Sequence, residues 1–370
     1  MKICFLAGAN SVHSVRWIKY FAEKGHEVHW ISLTPCVECE IKNIKLYLTP
    51  HPIGGWKLRI IPVFHLLFNI FWVRKLVKKI KPDILHSHYV GVNGLVGALT
   101  GFHPFILTAW GSDILIGGKL FIKKSLIKFT LDRADLTTCD GENIENSLSN
   151  FGINSEKIKT IYFGIDIEKF NLGPENEEIK IKLKIANSPV VLNLRNLEPI
   201  YDVETLINAV PLVIKEIPEA KFIIAGKGSQ KGKLKKMAED LKCLENVRFI
   251  GWISHDELPK YLKTADIYVS TSLSDSTSVS LLEAMSCGLT PIVTEIGENK
   301  KILNNGEYGL LIPIKNSNIL AQKIIYLLKN DEVRNKIGRQ GREIVEKKYN
   351  YYKEMNKMEN IYKNLIKTKL

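Results

Sequence analysis

The chain is poor in cysteine, with six in 370 residues, and it has no apolar run of the length a bilayer demands. Thiols at 4, 36, 39, 139, 243 and 287 are too sparse for the disulfide framework of a small secreted domain, so a reducing cytoplasmic setting is expected. Cys36 and Cys39 form one CxxC, but no second pair follows at zinc-site spacing and no strand-to-helix context suits a redox motif. That pair reads as coincidental. The apolar stretch Ile60–Val73 is 14 residues long, against the roughly 20 a helical span needs. The run Met1–Gly8 meets Asn10 and Ser11 too early for the core of a signal peptide and reads as a first buried strand. No Asp-x-Asp pair stands at a strand end, so a metal-bridged diphosphate is not expected, and no nucleic-acid reader motif occurs. With 45% hydrophobic and 25% charged residues, disordered and low-complexity classes are also excluded.

What the chain does have is positive charge and repeated α/β punctuation. Lys and Arg number 52 against 39 Asp and Glu, and the excess of +13 favours an anionic partner such as a nucleotide phosphate or a negatively charged membrane. Short apolar runs at 2–7, 27–33, 83–87, 104–109, 136–139 and 158–163 alternate with helical segments including 15–24 and 142–150. A second series of strands at 190–194, 221–225, 247–250, 267–271, 290–294 and 309–312 alternates with helices near 203–216, 231–242, 256–263, 277–286, 317–329 and 331–348. This is the pattern of parallel sheets covered by helices. The polar, turn-rich stretch 171–178 suits a linker, which divides the chain into 1–172, 180–348 and a final helical segment 349–370. The fold class is therefore α/β, with two doubly wound Rossmann-like domains facing a deep cleft lined by the loops that follow the strands.

Residues 57–81 depart from that pattern. They carry Lys57, Arg59, Arg74, Lys75, Lys78, Lys79 and Lys81, no acid, and the apolar stretch between. One reading is docking on an anionic membrane surface, with aromatic side chains entering the interface; the other is a buried crossover helix with basic ends. A second basic piece, 119–128, reads as the latter.

The chemistry concentrates in Ser270–Met285. A strand ends, a hydroxyl-rich loop follows, and a helix is expected from about Thr277 with Ser276 as N-cap. Free backbone N–H groups and the positive dipole end suit a diphosphate there, with hydroxyls of Ser276, Thr277 and Ser278 as added donors. Asp275 and Glu283, eight positions apart, suit separate hydroxyl groups of a nucleotide sugar. An ordinary capped helix with a solvated carboxylate is the competing reading.

This segment resembles the acidic-x7-acidic signature of the retaining, family-four glycosyltransferases with the GT-B fold. Other landmarks of that family follow in order. Asp83–His88 resembles its D-hydrophobic-H-x-H strand end, Gly25–Val28 its G-H-E-V, and Phe163–Asp166 with Phe170 its N-G-V-D…F. Ile224–Gly228, Asn246–Gly251 and Gly306–Leu310 resemble later ones, so the likeness runs along nearly the whole chain.

The resemblance implies a nucleotide-diphosphate sugar donor held by the second domain, an acceptor held by the first, and a last helix, 350–366, crossing back to the first domain. By position, Glu283 would bind the donor ribose, Asp275 the donor sugar, and Arg195 the diphosphate, whose oxygens a planar guanidinium meets in pairs. Gly226 and Lys227 join the donor set, as does Gly8, where backbone can approach closely. His88 would orient a sugar hydroxyl near the reacting carbon, with His86 on the same strand face and one of the two structural. Asp113 would position an acceptor hydroxyl. His13 and Arg16 would meet an anionic acceptor group or merely cap a helix.

Three departures stand out. No lysine follows Arg195 in Glu198–Asp202, Asp275 stands where Glu is usual, and Trp110 replaces the His of T-x-H-G-x-D, either to stack on an acceptor sugar or to pack under its loop. The expected activity is metal-independent, cofactor-free hexosyl transfer with retention to a lipid-linked or surface-polysaccharide acceptor, by a cytoplasmic protein peripheral to the inner face of the membrane. A sugar-nucleotide epimerase of the same fold and a non-catalytic sugar-nucleotide-binding subunit are the alternatives.

Overall fold

The buried apolar runs pair into two all-parallel sheets. The computed structural model describes residues 1–36, 41–53, 63–115, 121–275 and 277–368. The chain forms two units, Met1–Phe163 with Lys353–Leu370 and Gly164–Tyr352.

In the first unit the strands are β1 (Lys2–Leu6), β2 (Glu27–Ser32), β3 (Ile44–Leu48), β4 (Ile84–His88), β5 (Phe105–Ala109), β6 (Leu136–Cys139) and β7 (Ile158–Thr160), ordered β3-β2-β1-β4-β5-β6-β7. The helices are α1 (Val12–Glu23), α2 (Val63–Ile80), α3 (Val92–Leu99), α4 (Ser112–Leu115), α5 (Phe121–Asp132) and α6 (Glu142–Asn150). Central strands such as β4 and β5 are buried at every residue, which is why they read as continuous runs. β3 was not expected from the sequence; it lies at the sheet edge beside β2, half exposed, with Lys45 interrupting its apolar residues. Leu6, Leu85, Leu107 and Val96 lie in the core of this unit.

The second unit holds α7 (Glu177–Leu183), β8 (Val190–Asn193), α8 (Val203–Glu216), β9 (Lys221–Ala225), α9 (Lys231–Asp240), β10 (Val247–Gly251), α10 (Leu258–Thr264), β11 (Ile267–Ser270), α11 (Val279–Ser286), β12 (Thr290–Thr294), α12 (Asn299–Ile302), β13 (Leu310–Ile312), α13 (Ser317–Lys329) and α14 (Asp331–Lys348). Its strand order is β10-β9-β8-β11-β12-β13. Val191, Leu206, Ile224, Val269 and Ile324 are fully buried in its core.

The chain leaves the first unit after Phe163, ahead of the polar stretch 171–178, which leads into α7 inside the second unit. The reason is local packing. Gly164 has φ of +67°, and a Cβ there would stand 2.6 Å from the Tyr351 Cα. Ile165 bridges Asn350, and the Phe170 carbonyl accepts from the Ser286 hydroxyl and the Arg342 guanidinium.

The last helix, α15 (Tyr351–Lys367), returns to the first unit. Its Tyr362 is fully buried, and a buried hydroxyl needs a partner; it hydrogen-bonds Nδ1 of His86 at 2.5 Å. Glu354 accepts from the Tyr162 N–H at 3.0 Å, and Asn356 accepts from the Tyr20 hydroxyl at 2.7 Å.

Both sheets reverse strand order beside their first strand, between β1 and β4 and between β8 and β11. In open α/β sheets the crevice at the carboxyl ends of such a pair is where ligands bind. Each unit therefore designates one place to search.

Candidate active site

At the second unit's reversal, Arg195 follows β8 and the 271–278 loop follows β11. The Arg195 guanidinium donates to Ser278 Oγ at 2.9 Å and Ser280 Oγ at 3.2 Å, and its other terminal nitrogen lies 2.8 Å from an Asp275 carboxylate oxygen. The Tyr201 ring stacks on it at 4.4 Å. Its buried Nε has no hydrogen-bond partner among the described residues. Two residues assigned separate ligand contacts by the resemblance are thus paired with each other.

The helix start differs from expectation. α11 begins at Val279 with Ser278 at the N-cap, not near Thr277 with Ser276. Ser278 makes no side-chain capping bond; its hydroxyl accepts from Arg195. Ser276 lies outside the described residues, and Thr277 is buried beside the helix start.

Gly226 has φ of +145°, and a Cβ there would stand 2.4 Å from the Arg195 carbonyl oxygen. Glycine at 226 therefore lets the β9 loop lie on the Arg195 loop, an approach sealed by the Leu197 N–H donating to the Lys227 carbonyl at 2.9 Å. Lys227 is exposed, with its ammonium 5.4 Å above the Trp252 ring. Glu198, in the segment without the usual lysine, accepts from the Ser229 N–H and hydroxyl, which holds its carboxyl below the usual range. Glu283 is buried on α11, and its Oε1 lies 3.1 Å from Nε2 of His255.

At the first unit's reversal, β4 ends in His86-Ser87-His88. His86 is saturated by Tyr362 and by Thr108 Oγ1 at 2.6 Å, which makes it the structural member of the pair. His88 is 1% exposed; its Nδ1 lies 3.0 Å from Ser14 Oγ, and its buried Nε2 has no hydrogen-bond partner among the described residues. Burial and the nearby His13 charge push its pKa down to about 3, so it is neutral at physiological pH. Rings of Trp17, Trp110 and Phe5 surround it at 5.3, 5.5 and 5.6 Å.

Trp110 stacks with His13 at 5.7 Å, and His13 meets the edge of Phe163 at 4.4 Å. Arg16 lies 4.8 Å over the same Phe163 ring. Although His13 is open on one side, the crowding rings and Arg16 both lower its pKa. Asp113 is buried, and its carboxylate accepts from the N–H groups of Val90, Trp110 and Ile114 at 2.8, 3.2 and 3.2 Å. It thereby braces the Trp110 loop. Gly8 stands where β1 gives way to the loop before α1; a Cβ would meet Asn10 Oδ1 at 3.1 Å.

Ser14, Tyr201, His255 and Ser280 were not singled out from the sequence. Their partners lie 74, 6, 28 and 85 positions away, and no local pattern marks them. Cys36 is disulfide-bonded, and Cys39, the other member of the CxxC, lies outside the described residues. Among the described residues no group of three or more His, Cys, Asp or Glu side chains is arranged to hold a metal ion.

The model of the family described as glycosyl transferases group 1 matches residues 175–344, and that described as glycosyl transferase 4-like matches residues 2–141. The chain belongs to the group 1 glycosyltransferases. This group 1 glycosyltransferase is 23% identical to N-acetyl-alpha-D-glucosaminyl L-malate synthase of Bacillus anthracis, over 97% of the chain and 95% of the relative. It is 27% identical to UDP-Gal:alpha-D-GlcNAc-diphosphoundecaprenol alpha-1,3-galactosyltransferase of Escherichia coli, over 80% and 79%. Its fold matches the crystal structure of Anabaena Alr3699/HepE in complex with UDP, with TM-score 0.85 and 18% identity over 99% and 100% of the chains. The fold is GT-B, and the group 1 glycosyltransferase is a transferase of the EC 2.4 class.

Proposed function

We propose that this glycosyltransferase moves a sugar from a nucleotide-diphosphate sugar to a lipid-linked or polysaccharide acceptor, with retention and without a metal ion. The observation that carries the reading is the Arg195 cluster. A nearly buried guanidinium stands beside a helix start at a sheet reversal, paired with Asp275. A diphosphate suits that place by charge and by geometry. The relative that transfers from UDP-Gal to a diphosphoundecaprenol-linked acceptor and the structural neighbour bound to UDP support the same donor and acceptor classes.

In this reading the diphosphate takes the Arg195 edge now held by Asp275, and Asp275 turns to hydroxyls of the donor sugar. Thr277 and Ser278, the α11 start and Lys227 add to the stabilisation of the leaving phosphate, and Glu283 holds the ribose. The acceptor hydroxyl oxygen attacks the anomeric carbon on the face from which the phosphate departs. The bond from carbon to the phosphate oxygen breaks as the glycosidic bond forms, and the hydroxyl proton passes to a phosphate oxygen. No protein base is required, which agrees with a neutral His88 whose task is to orient a hydroxyl through Nε2. Trp110, with His13 and Arg16, supplies the acceptor platform.

The acceptor is met at an anionic membrane surface. No helix among the described residues is long and apolar enough to cross a membrane. On α2, Val73, Val77 and Ile80 face the core, whereas Phe64, Leu67 and Phe71 are 67%, 60% and 71% exposed. Arg74, Lys75, Lys78 and Lys79 continue the exposed side toward the helix end. Apolar anchors followed by cations match a lipid interface with anionic headgroups. Residues 57–62 of the basic segment lie outside the described residues, as does 119–120 of the second.

A panel of UDP-, GDP- and ADP-sugars tests the donor site. One of them should raise the melting temperature of the wild type and not of Arg195→Ala. An equal rise in both proteins overturns the reading. Isomerisation of donor without acceptor marks an epimerase instead, and binding with neither reaction marks a binding subunit.

A further inference from the structure

Glu283 does not stand alone at its end of α11. We propose that His255 is a positioning residue that presents the Glu283 carboxylate to the vicinal hydroxyls of the donor ribose, with Lys169 fixing the imidazole tautomer. The inference rests on the reading of Glu283 given above and deepens it.

The proton arrangement follows from donor chemistry. Lys169 Nζ lies 3.0 Å from Nδ1 of His255, and an ammonium can only donate. Nδ1 therefore keeps its lone pair and the ring proton resides on Nε2. That nitrogen, 3.1 Å from Glu283 Oε1, donates to the carboxylate. Lys169 is itself held by an Asp256 carboxylate oxygen at 2.5 Å. The imidazole packs against the Phe170 ring at 5.1 Å and 63°, which restricts its rotation.

The surrounding backbone makes this arrangement specific. The Phe170 carbonyl accepts from the Ser286 hydroxyl one turn beyond Glu283 on α11, and Arg342 binds the carbonyls of both Phe170 and Ser286. The segments carrying Lys169 and Glu283 are thereby tied to each other, and His255 joins them through its contacts with Lys169, Phe170 and Glu283. The Glu283 side chain is 6% exposed and the His255 side chain 44%, so the acid is sheltered while the histidine opens to solvent. With one lone pair of Oε1 engaged by the fixed Nε2–H, the plane of the carboxylate is set. The remaining lone pairs then meet two adjacent hydroxyls with little rotamer entropy left to lose. A site built to accept from ribose hydroxyls discriminates against an analogue lacking one.

The test measures dissociation constants of UDP, GDP and ADP and of their 2′-deoxy counterparts by calorimetry, using the full chain. The wild type should prefer the ribose form of the diphosphate it binds. His255→Phe should lower that preference about fivefold, leaving affinity for the deoxy form within about twofold. His255→Gln, whose amide N–H can still reach Glu283, should restore most of it. If His255→Phe keeps the wild-type preference while Glu283→Gln loses it, the proposal fails and the reading of Glu283 stands. If Glu283→Gln keeps the preference, both fail. An equal loss of affinity for ribose and deoxyribose forms in His255→Phe also overturns the proposal, since it marks a merely structural role.

Discussion

Replacing Asp275 by Asn should lower the stability of the second unit and tighten its hold on a free nucleoside diphosphate. Asp275 approaches the Arg195 guanidinium at 2.8 Å, and their side chains are 19% and 11% exposed. Breaking a fully buried pair costs about 3–5 kcal/mol, because the surviving charge is left uncompensated. Partial exposure of Asp275 and the Ser278, Ser280 and Tyr201 contacts that Arg195 keeps reduce this to about 2 kcal/mol. For a unit of this size that corresponds to a fall of about 4–8 °C in its melting transition. The same substitution removes an internal anion competing for the guanidinium, worth about 1–2 kcal/mol or roughly tenfold in affinity for UDP, GDP or ADP. Sugar transfer should fall, since the contact to the donor sugar is lost. Calorimetric melting and isothermal titration measure both quantities. An unchanged melting transition, together with diphosphate affinity that is unchanged or weaker, would refute the claim that the carboxylate and the diphosphate share one site.

The remaining expectations concern the other loops and surfaces. The folded-state pKa of His88 lies at about 3, below the ordinary 6.5, so between those values the unfolded chain binds the extra proton. Stability should then fall as pH drops from 6.5 toward 3, by up to about 1.4 kcal/mol per pH unit from this group, and His88→Asn should flatten the slope in urea unfolding. Gly226→Ala forces a Cβ to 2.4 Å from the Arg195 carbonyl at φ of +145°, and should cost about 2–4 kcal/mol in urea unfolding and weaken diphosphate binding with it. Serine at Phe64, Leu67 and Phe71 should change stability little but reduce co-sedimentation with anionic vesicles by about 100-fold, and high salt should weaken wild-type binding further.

The site was legible in the sequence where one stretch of chain carries it. The hydroxyl-rich loop after β11 could be named from its residues, and the β4 end at His88 and the acid pair Asp275 and Glu283 through the family resemblance. The helix start could not be placed correctly, because Ser276, Thr277 and Ser278 are all suitable caps by type. In the fold the helix starts after Ser278, whose hydroxyl is engaged by Arg195 from the loop after β8. The sequence put His88 ahead of His86 and left open which of the two is structural; the Tyr362 hydroxyl from α15 and Thr108 occupy both ring nitrogens of His86 and make it the structural one. Asp113 was named from the likeness of its loop, and that its carboxylate also holds three backbone amides could not be read from the sequence.

The amino-acid pattern by itself determined the two parallel α/β sheets. A strand buried on both faces must be apolar throughout, so each central strand declares itself locally, while the half-exposed edge strand β3 does not. Only the tertiary structure decided the partnerships: Arg195 with Asp275, Lys169 with His255 and Glu283, and His88 with Ser14. Strand order in the sheets brings residues from distant loops together, and whether a charge meets its counterion or its ligand depends on which strand ends become neighbours.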